Sequence, residues 1–163
     1  MMERTQPVTR PRESVLLVDD DQDLGDMFQL GLENAGFAVQ RAADGMAAVD
    51  LVLRQPPDLV LMDQGLPGLN GLQALERLRS KRRGLPVPVV MFSNADDDAL
   101  VRKAFALGAL EWVVKAGITP RQLAGRVRTW LDAVYRPYAG PRVRSSMSWD
   151  ATITSDIQAS PSA

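Results

Sequence analysis

The sequence predicts a doubly wound α/β fold: a five-stranded parallel sheet with helices on both faces. Two observations predict it. Short apolar runs alternate with stretches of helical periodicity, five of each, across residues 14–136. Most of the runs are apolar at every position instead of at every second one, the pattern of strands buried on both faces of a parallel sheet.

The first run, Ser14 to Val18 (SVLLV), leads into Asp19, Asp20 and Asp21. A helix follows, with Leu24, Met27, Phe28, Gly31, Leu32 and Ala35 at helical spacing and Gly36 placed to end it; Asp21 or Asp23 is expected to cap its start. Phe37 to Ala42 reads as a strand, and Gly45 to Arg54 as a helix closed by Pro56-Pro57. Asp58 to Met62 is an apolar strand ending at Asp63, followed by a loop rich in Gly and Pro over 65–71. Gly71 to Arg83 carries Leu72, Leu75 and Leu78 on one helical side. Val87 to Phe92 is a strand ending at Ser93. In the helix over 97–107, Leu100, Val101, Ala104 and Phe105 share one face. Leu110 to Val114 is the fifth strand, ending at Lys115. Thr119 as N-cap and Pro120 at the first helical position start the last helix, whose buried stripe is Leu123, Val127, Trp130, Leu131 and Val134.

Residues 1–13 are polar and Pro-containing, and are expected to be a flexible tail. From 137 to 163 Ser, Thr, Ala and Pro dominate, so a disordered C-terminal tail is expected, with Met147, Trp149, Ile153 and Ile157 as its apolar positions. No second domain is visible, which makes the expected unit a single-domain protein.

Composition excludes several kinds of chemistry. Of 163 residues, 45% are apolar and 24% charged, as in an ordinary globular protein. The formal charge of −1 gives no overall attraction to nucleic acid or anionic membranes, so neither direct DNA binding nor membrane association is expected. No apolar run approaches the ~18 residues that span a bilayer, and no secretory signal stands at the N-terminus, so the expected location is cytoplasmic. The absence of Cys and His removes thiolate nucleophiles, imidazole metal sites, Ser-His-Asp triads and phosphohistidine chemistry from this chain. Any metal must be a hard cation held by oxygen, Mg²⁺ or Mn²⁺.

In a doubly wound fold, ligands bind beyond the carboxyl ends of the strands. Asp19-Asp20, Asp63, Ser93 and Lys115 all fall at such ends. Each alone has an ordinary explanation: a helix cap, a turn, a solvated lysine. Together they supply what phosphoryl transfer to a carboxylate needs. Three clustered carboxylates repel one another, and a divalent cation relieves that repulsion. Asp63 is the nucleophile, already ionised and needing no base. The metal and Lys115 offset charge on the phosphoryl oxygens, and the Ser93 hydroxyl binds one of them.

The segments VLLVDDD (15–21), LVLMDQGLPGLNG (59–71), VVMFSN (89–94) and GALEWVVKAG (108–117) resemble the receiver (CheY-like) family of bacterial two-component response regulators, which has a flavodoxin-like fold. The resemblance covers residues 14–136. It implies that Asp63 is the phosphorylation site. It also implies that Asp19, Asp20, Asp63 and the Gly65 carbonyl hold Mg²⁺ (or Mn²⁺), with Asp20 the favoured direct ligand and Asp19 often acting through water. Ser93 is then the switch hydroxyl, Lys115 the phosphoryl contact and Trp112 the switch aromatic, while Pro67 and Gly71 shape the loop. The implied donor is a sensor histidine kinase or a His phosphotransfer protein. The implied output is a population shift. Phosphoryl oxygens draw Ser93 inward, Trp112 turns in, and the face made by the fourth helix, fifth strand and fifth helix selects a downstream protein. A monomer or weak dimer is expected, acting as a switch and not as an enzyme.

Three positions depart from the family pattern. Ala116 stands where a cis proline is usual; because a non-proline cis bond costs about 3 kcal/mol, a trans Lys115–Ala116 bond is expected, with the next loop shifted. Asn94 replaces a very small residue and is a candidate modulator of phosphodonor access. Trp112 is bulkier than the usual Tyr or Phe. These departures leave open a pseudo-receiver, an interaction module of the same fold that phosphate does not regulate. A related aspartyl-phosphate phosphatase would use a second aspartate two residues after Asp63, where this chain has Gly65. Arg77, Arg79, Lys81, Arg82 and Arg83 form a basic cluster whose expected role is to solvate and cap a helix end.

Overall fold

The computed structural model describes residues 12–81 and 87–135. They form β1 (Ser14–Val18), α1 (Gln22–Asn34), β2 (Ala38–Ala42), α2 (Gly45–Arg54), β3 (Leu59–Met62), α3 (Gly71–Ser80), β4 (Val89–Ser93), α4 (Asp98–Ala106), β5 (Glu111–Val114), a 3₁₀ turn (Lys115–Gly117) and α5 (Pro120–Tyr135). The strands pair in parallel in the order β2-β1-β3-β4-β5. This is the doubly wound fold that the alternation predicts. The two expected tails fall mostly on residues 1–11 and 136–163, outside the described residues. Glu13, at the edge of the first, belongs to the fold: its carbonyl accepts from Ala38 N–H at 2.9 Å and its carboxylate pairs with Arg128 at 2.8 Å.

Alternate residues of the central strands feed two cores. Leu16, Val18, Val60, Met62, Val89 and Met91 pack beneath α2, α3 and α4. Val15, Leu17, Leu59, Leu61, Val90 and Phe92 pack against α1 and α5. β1, β3 and β4 are therefore apolar throughout because both of their faces are covered. β2, at an edge, has polar and half-buried positions (AVQRA).

Each helix starts at the carboxyl end of the sheet with a polar cap. Asp21, Asp44 and Asp97 accept from the first-turn amides of α1, α2 and α4. Asn70 with Gln73, and Thr119 with Gln122, form reciprocal capping boxes at α3 and α5. The caps explain many of the polar residues at that end, so the uncapped polar side chains stand out against them. At the other end, Gly36 and Gly108 take φ of 98° and 85°, and the following amides close back on Leu32 and Ala104, ending α1 and α4.

Several expectations shift. β4 starts at Val89 and not at Val87, because Pro88 has no N–H to donate; its carbonyl still accepts from Val60. α3 ends at Ser80, with Arg82 and Arg83 outside the described residues. Met27 and Phe105, placed above in the apolar patterns of their helices, are 44% and 47% exposed. In α4 only Ala104 is fully buried, with Leu100 partly buried against the same core, and the neighbouring Phe105 is rotated outward.

Arg79 does not cap its own helix. Its guanidinium donates to the carbonyls of Leu107 (3.1 Å), Gly108 (3.1 Å) and Val87 (3.2 Å), joining α3 to the C-terminus of α4 and the approach to β4. Burial lowers its pKa by disfavouring the charge, which the three acceptors and the helix dipole offset. Arg79→Ala leaves those carbonyls unpaired, and the expected loss is about 2 kcal/mol of stability, read from the urea midpoint at unchanged slope.

Candidate functional site

Strand order reverses between β1 and β3: the chain leaves β1 toward β2 on one side and continues from β3 toward β5 on the other. A crevice opens at such a switch point. Asp19 and Asp20 follow β1 and Asp63 follows β3. Register places Val18 beside Met62, and Asp63 N–H donates to the Val18 carbonyl at 3.0 Å. Carboxylate oxygens of Asp19, Asp20 and Asp63 lie within 4.8 Å of one another.

Asp19, Asp63, Ser93 and Lys115 are the buried polar residues among those described. Lys115 Nζ lies 2.5 Å from Asp19 Oδ2 and 3.1 Å from Asp63 Oδ2. It also sits 5.6 Å from the centre of the Phe92 ring, which packs edge-on against Phe28. The other Asp19 oxygen accepts from Asp21 N–H at 2.9 Å. Asp19 is thereby engaged on both sides, while Asp20 is exposed. Three carboxylates face one ammonium, a surplus of two negative charges. An oxygen-only, doubly negative cluster fits a hard divalent cation such as Mg²⁺.

Ser93, the last residue of β4, is buried, and its Oγ accepts from Ala95 N–H at 3.3 Å. Trp112 is half-buried on β5, and its indole Nε1–H donates to the Ala95 carbonyl at 2.9 Å. Asn94 is exposed, and its Oδ1 accepts from Ala116 N–H at 2.9 Å. No peptide bond among the described residues is cis, so Lys115–Ala116 is trans as expected. Gly65 lies exposed in the loop after Asp63.

Sequence reasoning passed over Gln64. Its carbonyl accepts from the amides of Leu66 and Gly71, both at 3.0 Å, and its side-chain Oε1 accepts from Leu72 N–H at 2.9 Å. These bonds fold the 65–71 loop back and seat the start of α3. Gly71 is required there, since a Cβ would lie 2.2 Å from the Asp63 carbonyl oxygen. The glycine was readable in the motif; the glutamine was not, because its partners depend on the loop's return.

The response regulator receiver domain model matches residues 15–128. The chain belongs to the response-regulator receiver family. Receiver domains take phosphoryl groups from histidine kinases and bind Mg²⁺ at a cluster of acidic residues, signalling within two-component systems. This receiver is 33% identical over 123 residues to the transcriptional regulatory protein CreB of Escherichia coli (strain K12), matching 76% of this chain and 52% of that one. It thus spans about half the length of that curated relative. Among solved structures, it resembles the chemotaxis response regulator CheY4 of Vibrio cholerae (25% identity, TM-score 0.66, covering 73% of this chain and 98% of that one). It also resembles the BeF3-activated N-terminal receiver domain of RstA from Klebsiella pneumoniae (28%, TM-score 0.65, 73% and 98%). A CheY-like receiver protein from Methanospirillum hungatei JF-1 is similar too (25%, TM-score 0.69, 76% and 96%).

Proposed function

We propose that this receiver accepts a phosphoryl group on Asp63 and signals by the resulting change of surface. The supporting observation is the Lys115 ammonium bridging the Asp19 and Asp63 carboxylates beside Asp20, at the switch point of the sheet. An Asp63 carboxylate oxygen attacks phosphorus, the bond from phosphorus to the donor group breaks, and that group leaves with its electron pair. The donor is a phosphohistidine of a sensor kinase or phosphotransfer protein, since this chain has no histidine. Asp20, Asp63 and the Gly65 carbonyl are assigned to hold Mg²⁺ directly. Asp19, with both oxygens already engaged, is assigned to act through water. Mg²⁺ bound there supplies positive charge against the phosphoryl oxygens. Lys115 adds its own charge to the same oxygens, and the Ser93 hydroxyl turns from the Ala95 amide to donate to one of them.

The readout is assigned to the α4, β5 and α5 face, where a groove of about 570 Å³ is lined by Trp112, Val113, Ile118, Gln122, Arg126 and Thr129. No helix among the described residues is long and apolar enough to cross a membrane, which accords with a receiver acting in the cytoplasm. The deciding experiment is covalent labelling by a small phosphodonor such as acetyl phosphate in Mg²⁺. The expected product is an acyl phosphate, discharged by hydroxylamine and not formed in chelator. A well-folded protein that takes up no label acts instead as an interaction module independent of phosphate.

The metal assignment has its own expected result. Mg²⁺ at 100 times its dissociation constant stabilises the fold by about 2.7 kcal/mol, raising the melting temperature. Asp20→Asn, which alters an exposed residue, abolishes most of that gain while changing Mg²⁺-free stability little. Equal Mg²⁺ responses in the two proteins would remove Asp20 from the ligand set.

A further inference from the structure

Two of the positions that depart from the family pattern are bonded to each other. Asn94 Oδ1 accepts the Ala116 N–H at 2.9 Å. Parallel pairing of β4 with β5 stops at Ser93 and Val114. Beyond it the chain turns into the 3₁₀ segment Lys115–Gly117, which has no side-chain cap from Val114. The Ala116 amide is one of the donors that such a turn leaves without an intrahelical partner. Asn94 supplies the acceptor from across the sheet edge. A proline at 116 would have no N–H to offer, and an alanine at 94 no acceptor, so this bond requires both departures at once.

The bond reaches across 22 positions of chain. An asparagine that only shaped its own turn would bond locally, and the cap of α4 is Asp97. Asn94 directly follows Ser93, and Ala116 directly follows Lys115. These are the two residues assigned above to grip the phosphoryl group. One residue further on, the Ala95 carbonyl holds the Trp112 indole at 2.9 Å. The loop after β4 is thus fastened to β5 and its turn at successive residues.

We propose that Asn94 is a positioning residue, which through the Ala116 N–H makes the end of β4 and the turn into α5 move together when the site is phosphorylated. The proposal rests on the phosphoacceptor reading of Asp63. Under it, the bond fixes the spacing between the Ser93 hydroxyl and the Lys115 ammonium. It also carries any displacement of Ser93 to residues 116–119 and so to the Thr119 cap of α5.

The test uses the full chain as wild type, Asn94→Ala and Asn94→Asp, followed by backbone amide resonances. Each protein is brought to saturation with Mg²⁺ and beryllofluoride, a mimic of the phosphoryl group, judged by the shifts of Ser93 and Lys115. Asn94 is exposed, so neither variant empties the core. In wild type, resonances at 116–119 shift along with those of Ser93 and Lys115. In Asn94→Ala, the Ala116 amide exchanges with solvent about tenfold faster, and the response at 117–119 disappears. Asn94→Asp retains the acceptor oxygen and restores both. A full response at 117–119 in Asn94→Ala overturns the coupling, as does unchanged exchange at Ala116 or failure of the aspartate to rescue. No response to beryllofluoride anywhere in wild type overturns the phosphoacceptor reading, and the coupling with it.

Discussion

Asp63→Asn is expected to fall to background labelling with acetyl phosphate and Mg²⁺, at least about a hundredfold below wild type. The amide is almost the same size, so the β3–α3 loop keeps its shape; the Gln64 bonds to Leu66, Gly71 and Leu72 do not involve the Asp63 side chain. What changes is chemical. An amide oxygen is a poor nucleophile at phosphorus, and the site loses one of the three negative charges that favour a divalent cation. Asp19 cannot substitute. Its oxygens are committed to Lys115 and to the Asp21 amide. Asp20 is free of such ties but belongs to the metal site in this reading. Label that persists undiminished in Asp63→Asn would sink the assignment and direct attention to Asp20. Far-ultraviolet circular dichroism of the variant should overlay wild type, separating lost chemistry from lost fold.

The fold and the residues of the site were legible in the sequence for a common reason. β1, β3 and β4 are buried on both faces, so their apolar runs are unbroken, and the polar residue that ends each run marks the carboxyl edge of the sheet. Knowing where strands end was enough to place Asp19, Asp20, Asp63, Ser93 and Lys115 at one edge of the sheet, where the three carboxylates and Lys115 meet. Contacts that depend on tertiary geometry were not legible. Arg79 looked like one member of a basic cluster, since nothing local says that its guanidinium reaches carbonyls of α4. Phe105 matched a helical stripe, but α4 turns only Ala104 fully inward, with Leu100 partly buried beside it. Asn94 and Ala116 read as separate departures from a pattern because their hydrogen bond joins loops from different strands. Periodicity reports which face of an element is apolar; it does not report which side chain crosses to a neighbour.

Lys115→Met is expected to move two measurements in opposite directions. The lysine is buried, with its ammonium shared by Asp19 and Asp63, and methionine keeps much of the stem's volume over Phe92 while removing the charge. Two buried carboxylates then face each other and Asp20 with no cation. Breaking a buried pair from one side strands the partner charge, and the expected loss without Mg²⁺ is about 3 kcal/mol. The same deletion makes the cluster more negative, so Mg²⁺ binds at least about tenfold more tightly and recovers much of the lost stability. Phosphoryl transfer stays slow even in saturating Mg²⁺, because the second positive charge facing the phosphoryl oxygens is absent. The combination discriminates between roles. A lysine that mattered only for packing would lower stability with or without Mg²⁺ and leave Mg²⁺ affinity alone. A lysine that mattered only as a solvated surface charge would move neither. Opposite shifts of Mg²⁺-free stability and Mg²⁺ affinity follow only if the ammonium occupies the charge deficit between Asp19 and Asp63 that the metal also serves.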